Sequence, residues 1–232
     1  MSNEVNRREF MKASAATGAA LVAAGVSAVS AQELKPIELP KSATGSGNAF
    51  IEVLGKRKST RTISSDPLPA EVLSTLLWAA AGVNRADGKR TAPTANDKQE
   101  IDVYVAMANG LYVYDAKANQ LNPVLATDIR AATGIQAQPY VKDAAVNLVY
   151  VADYSRMKNY YFGYVADETK ALYTAAATGC IAENVYLYCA SEGLATVLRA
   201  EIDRPALAAI MKLRPDQKII LAQSVGYPKK AA

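Results

Sequence analysis

From about Asp167 to Glu192 the chain carries the period of one long helix, lined by Ala171, Ala175, Ala176, Gly179 and Ala182. Side chains this small let another backbone come close, which suits a central core helix and equally a helix packed against a second copy of the chain. Around it, strand-like and helical runs mix without a regular strand–helix–strand alternation, and no repeat is visible. The expected class is therefore α+β rather than a doubly wound parallel sheet.

The first 31 residues read as an address. Asn6 to Lys12 (NRREFMK) pairs two arginines with Phe10 and Lys12, and an uncharged Ala-rich run from Ala13 to Ala28 follows. Val29-Ser30-Ala31 then suits a signal-peptidase site, the layout of a twin-arginine export signal. The apolar run is shorter than the roughly 20 residues a membrane span needs. Export by this route is associated with proteins that fold, often around a cofactor, before crossing, and it predicts a periplasmic or otherwise exported protein. Residues 32–48 (QELKPIELPKSATGSGN) read as an extended arm, and 49–232 as one domain.

Removing residues 1–31 lowers the formal charge from +4 to +3 over the remaining 201 residues. That is too weak a balance for a general nucleic-acid binder. There is no histidine, which removes Ser–His and Cys–His nucleophile systems and most zinc and iron sites. No catalytic protein residue and no metal ligand set is assigned, so redox or acid–base chemistry falls to a cofactor. Cys180 and Cys189 on one helix would sit about 180° apart around the axis and about 13 Å along it, too far for a disulfide. Two free, buried thiols are expected.

Asn48 caps a predicted helix, AFIEVLGKR, with Phe50, Ile51 and Leu54 on one face. A second helix follows Pro69, with Val72, Leu73, Leu76, Leu77 and Ala80 in period. Residues 83–100 form a long polar loop around Pro93, of a length that suggests work rather than connection. IDVYVAMA and LYVYDA read as strands joined by Asn109-Gly110 in a type I′ turn. A short helix near ATDIRAATG, a buried strand AVNLVYVAD and a Tyr-rich patch (Tyr154, Tyr160, Tyr161, Tyr164) lead to the long helix. A strand (ATVLRA), a short helix (RPALAAIMKL) and a final strand (KIILAQSV) complete the chain.

The first helix delivers KRKSTR, in which Lys56, Arg57, Lys58 and Arg61 surround Ser59 and Thr60. Guanidinium forks and a hydroxyl can hold a phosphate and a polar ring edge. The same residues also suit a solvated helix end, where cations are favoured by the dipole.

Four motifs in order resemble the nitroreductase family of flavoproteins. They are Arg57-Lys58-Ser59-Thr60-Arg61, Pro93-Thr94-Ala95-Asn96, Asn184 with Gly193-Leu194-Ala195, and Val225-Gly226-Tyr227-Pro228, together covering roughly residues 50–228. The resemblance implies a central mixed or antiparallel sheet flanked by helices, FMN as cofactor, and an intertwined homodimer with the flavin at its interface. Carried over, Arg57, Lys58, Ser59 and Arg61 would contact the FMN phosphate, ribityl chain and pyrimidine edge. Pro93, Thr94 and Asn96 would line the ring from the other subunit. The backbone at Arg199 and Ala200 would donate to flavin N5, and Lys229 or Lys230 would reach the phosphate. Thr94, Ala195 and Ala200 depart from the family's usual Ser, Gly and Gly, and Lys229-Lys230 reads equally as a solvated tail.

The hairpin after Pro93 looks most like the branch that includes thiazole/oxazole-forming dehydrogenases. No Lys-Tyr dipeptide of the kind that branch is expected to carry occurs here. The resemblance thus implies an exported FMN-dependent oxidoreductase moving hydride to or from a small planar molecule such as a nitroaromatic or quinone, with small-molecule donor and acceptor. The alternative is a flavin- or planar-ligand-binding protein that does not turn over.

Overall fold

The computed structural model describes residues 47–160 and 163–229. The signal segment, residues 32–46 of the arm, Tyr161 and Lys230 lie outside the described residues.

Helix α1 (Ala49–Lys56) begins at Asn48, whose Oδ1 accepts from the N–H of Phe50 at 3.0 Å and of Ile51 at 3.4 Å. Helix α2 (Ala70–Ala81) starts directly after Pro69, where a missing N–H costs nothing. Strands β1 (Ile101–Met107), β2 (Gly110–Asp115) and β3 (Gln120–Leu125) form a meander. After a short turn α3 (Tyr140–Asp143), the chain enters β4 (Val146–Asp153). A two-stranded ribbon, β5 (Asn159–Tyr160) and β6 (Gly163–Tyr164), precedes α4 (Asp167–Glu192). β7 (Ala195–Arg199), α5 (Arg204–Met211) and β8 (Gln217–Gly226) follow.

Six strands make one sheet in the order β3-β2-β1-β4-β8-β7. Every pairing in it is antiparallel. β4 is buried along its whole length because both sheet faces are covered. Leu148, Tyr150 and Ala152 point to the side of α2 and α4, meeting Leu76, Leu77, Ile181 and Val185. Val149 and Val151 point to the other side, meeting Ile202, Leu207 and Met211 at α5. The period-2 alternation of one strand thus feeds two cores.

Three sequence expectations are corrected. The β1–β2 hairpin turns on Ala108 and Asn109, because Met107 pairs with Gly110. Neither turn residue has a positive φ, so the turn is not type I′. Gly110 takes the unusual φ of +147° instead, where a Cβ would stand 2.5 Å from the Leu125 carbonyl oxygen. The hairpin after Pro93 is not a two-stranded unit but part of a meander: β3 is a third strand, at the sheet edge, where Pro123 is tolerated. Cys189 is buried but Cys180 is exposed, because half a helix turn separates the thiols and only one side of α4 faces the core. Both are free. α4 itself serves the core through Thr174, Ala177, Thr178, Ile181, Ala182 and Val185, while Ala171, Leu172, Ala175, Ala176 and Gly179 face outward.

Candidate functional site

The KRKSTR segment leaves α1 in extended form and runs beside the free edge of β7. The Thr60 N–H donates to the Thr196 carbonyl at 2.8 Å. Beyond it, Ser64 N–H donates to the Tyr227 carbonyl at 2.8 Å, Lys229 N–H donates to the Thr62 carbonyl at 2.9 Å, and Ile63 bridges to Pro228. The C-terminal stretch therefore carries Lys229 to the segment that holds Arg57, Lys58 and Arg61. A Cβ on Gly226 would lie 2.7 Å from the Ile63 side chain, so this close approach accounts for the glycine.

Lys58, Ser59, Arg61 and Lys229 are exposed, and Arg57 is half-buried with its guanidinium 5.3 Å from the centre of the Tyr186 ring. Among the described residues, none of these four cations is in a salt bridge. Next to them opens a cleft of about 610 Å³, lined by Lys58, Thr60, Thr62, Tyr186 and the stretch from Gly193 to Thr196. Like charges held together without a counter-ion repel one another, and a bound anion relieves that repulsion. This donor-only group of side chains fits a phosphate.

Pro93, Thr94 and Asn96 stand elsewhere, in the loop before β1, and none of them lines that cleft. The loop is wound tightly: Thr94 Oγ1 accepts from the Gln99 N–H at 2.9 Å, and Gln99 Nε2 donates to the Gly88 carbonyl at 3.2 Å. Asn96, Asp97 and Gln99 all take left-handed backbone (φ 51°, 52° and 47°). Non-glycine residues there cost energy and persist only where surrounding contacts enforce them. Within one copy of the chain, the cationic segment and this loop are two separate places.

Behind the loop, Glu100 is fully buried, and among the described residues its carboxyl oxygens find no partner beyond its own backbone N–H. Burial raises its pKa above the ordinary 4.5, against the pull of Arg156 and Arg90. A carboxyl raised on folding adds stability below its unfolded pKa, and that stability is lost as pH climbs through the folded value. Glu100→Gln is therefore expected to raise the melting temperature at pH 8 while leaving it nearly unchanged at pH 4, as read by thermal denaturation across that range.

Arg199 does not present its side chain to the cleft. It is buried, donating to the Thr133 carbonyl at 2.6 Å and to Ser224 Oγ at 3.1 Å, and burial lowers its pKa to about 10. In β7 the Thr196 carbonyl and the Leu198 N–H face the open edge. Strand alternation then turns the Arg199 N–H toward β8 and leaves exposed Ala200 as the next outward position. Cys189 reaches the cleft as an inert thiol, its pKa pushed up to about 12 by burial. Asn184 lines a separate apolar groove with Phe50, Trp78 and Tyr188. Tyr164 and Tyr154 both face the Lys170 ammonium, which Asp167 holds at 2.8 Å, so these tyrosines of the patch flank a lysine. The residue that sequence reasoning missed is Tyr186: at helical spacing an aromatic reads as core, and nothing in the sequence marks its hydroxyl.

The model of the nitroreductase family matches residues 54–227, and the chain belongs to that family. A twin-arginine translocation signal matches residues 4–24, which supports export by that route. A Methanocaldococcus jannaschii protein assigned as a nitroreductase is 28% identical over 171 residues, covering 70% of this chain and 84% of that one. A crystal structure of a Ralstonia eutropha protein assigned to the same class is 43% identical, covers 84% of this chain and 90% of its own, and superposes with a TM-score of 0.73. A Desulfovibrio desulfuricans protein crystallised with FMN shares the fold at 20% identity and a TM-score of 0.56, covering 79% and 88% of the two chains. Among the described residues no helix is long and apolar enough to cross a membrane.

Proposed function

We propose that the mature protein is an exported FMN-dependent oxidoreductase acting on a small planar molecule, of the nitroaromatic or quinone kind, in or beyond the periplasm. The observation that carries this reading is the gathering of Arg57, Lys58, Arg61 and Lys229, without salt-bridge partners among the described residues, beside the open edge of β7. These cations and Ser59 would hold the FMN phosphate, ribityl chain and pyrimidine edge, and outward N–H groups at the end of β7, Ala200 foremost, would face flavin N5. When bound, FMN would supply hydride transfer in both directions. The protein would bind and orient it, and its donors would favour negative charge on the ring.

Signal removal after Ala31 would leave the arm 32–48 and one flavin-binding domain, 49–232. The working form is a homodimer, in which the loop of Pro93, Thr94 and Asn96 meets the cationic segment of the other copy. Supporting it, Phe50, Leu54, Trp78 and Leu172 leave 58%, 40%, 46% and 67% of their surfaces exposed in one copy, more apolar surface than an isolated chain needs to show.

The visible absorption spectrum of the purified protein tests the reading. The expected result is an oxidised-flavin spectrum, heat release of FMN in proportion to protein, and bleaching then recovery on adding a donor and a quinone. A colourless protein that takes up no added FMN would overturn it. Bound flavin that never turns over would make it a flavin-binding protein instead.

A further inference from the structure

Three polar groups converge on one phenol in the flank of the cationic segment. The Leu198 N–H donates to Tyr186 Oη at 2.8 Å, and Ser59 Oγ lies 2.8 Å from the same oxygen. Arg57 stacks on the face of the ring. Tyr186 comes from α4, Leu198 from the open edge of β7, and Ser59 and Arg57 from the extended segment, so one side chain ties the consecutive elements α4 and β7 to a segment 127 positions away in sequence.

The direction of the hydrogen bonds follows from counting donors. The phenol has one proton to give. Tyr186 is 8% exposed, and Ser59 Oγ is its side-chain partner besides the Leu198 N–H. If Ser59 donated to the phenol, the buried phenolic proton would have no acceptor among the described residues, which is costly. If the phenol donates to Ser59, every buried group is paired, and the serine's own proton is left for whatever lies outside. Ser59 is exposed, so that proton faces solvent or ligand.

We propose that Tyr186 is a positioning residue that orders the flavin-binding segment and fixes Ser59 as a hydrogen-bond donor, in the sense Leu198 N–H to Tyr186 O–H to Ser59 O–H to an acceptor atom of the ligand. The proposal rests on the flavin reading above and deepens it. Bonds that point the same way along a chain polarise one another, so the terminal hydroxyl is a better donor than an isolated serine. The stack on Arg57 holds a guanidinium beside that donor. The site so built offers hydrogen and positive charge only, which selects a ligand edge made of acceptors, such as phosphate or carbonyl oxygens.

The test is a double-mutant cycle on FMN affinity, measured by flavin fluorescence with the full mature protein stripped of flavin and refilled. Tyr186→Phe keeps the ring and the Arg57 stack but removes the relay; Ser59→Ala removes its end. Each is expected to weaken FMN binding about tenfold, and the double variant no more than either single one, because both changes break one chain. A merely structural tyrosine would give a lower melting temperature with unchanged affinity, or losses that multiply in the double variant. Either outcome overturns the proposal while leaving the flavin reading in place. Failure of the wild-type protein to bind FMN overturns both. Should Tyr186→Phe not fold, Ser59→Thr and Ser59→Val decide: the threonine, which keeps Oγ, binds as wild type and the isosteric valine loses about tenfold. Equal binding by the two overturns the proposal.

Discussion

Replacing Arg57 and Arg61 together with alanine is expected to abolish retention of FMN through purification while the protein stays folded. On the flavin reading the two effects separate, because these side chains would hold the ligand and contribute little to the fold. Arg61 is exposed, Arg57 is half-buried, and neither is in a salt bridge among the described residues. Surface positions of this kind change stability little, and relief of like-charge repulsion works in the variant's favour. Charge-assisted hydrogen bonds are about twice as strong as neutral ones, so losing two of them weakens FMN by about 100-fold or more. Wild-type binding should also fall as salt rises, and the variant's residual binding should respond less. The readouts are flavin content per chain, affinity at two ionic strengths, and melting temperature without flavin. Full flavin content in the variant would remove the cationic segment from the site.

Gln223→Leu is the change expected to cost most stability. Gln223 is fully buried in β8; its Oε1 accepts from the Tyr150 hydroxyl at 2.6 Å, and its Nε2 donates to Thr196 Oγ1 at 3.1 Å. Leucine fills similar space but offers neither bond. It orphans a fully buried phenol and removes one tether on Thr196, for a cost of about 2–4 kcal/mol. In a domain of this size that lowers the melting temperature by roughly 5–15 °C. Tyr150→Phe added to Gln223→Leu should give back part of the loss, because the orphaned hydroxyl is then gone. Purely additive losses would show that the pair is not coupled. A second consequence reaches the site, since the Thr196 carbonyl anchors Thr60: flavin affinity in Gln223→Leu should drop along with stability.

Much of the fold was legible because it follows from local rules. α4 spans Asp167–Glu192 as its apolar period indicates, and Gly193 stops it in left-handed backbone at φ 67°. Asn48 and Pro69 mark the starts of α1 and α2 through their own chemistry. β3 was hidden because an edge strand with Pro123 and half-exposed polar residues has no alternation to read. The turn at Asn109-Gly110 was misplaced because register is fixed by pairing across strands, not by a dipeptide.

The site was legible unevenly for a similar reason. A row of cations announces itself in one dimension, and the structure brings Lys229 beside Arg57, Lys58 and Arg61 through contacts 165 positions apart in sequence, as between Ile63 and Pro228. Where a buried carboxyl lacks partners, as in Glu100, or a phenol joins three elements, as in Tyr186, nothing in residue identity distinguishes the case from an ordinary loop acid or core aromatic. Those roles are set by what tertiary packing happens to bring, or fails to bring, within hydrogen-bond reach.

The pairing of residues 62–64 with 227–229 also fixes a timetable. While a ribosome is still making the middle of the chain, the cationic segment has no neighbour on that side, and its donors are spread along a tether. Only after residue 229 is made can the segment be clamped, so on the flavin reading proposed above the capture of FMN would follow synthesis of that residue. For a chain that carries a twin-arginine signal, cofactor loading on that reading would fall in the interval between release from the ribosome and arrival at the translocase.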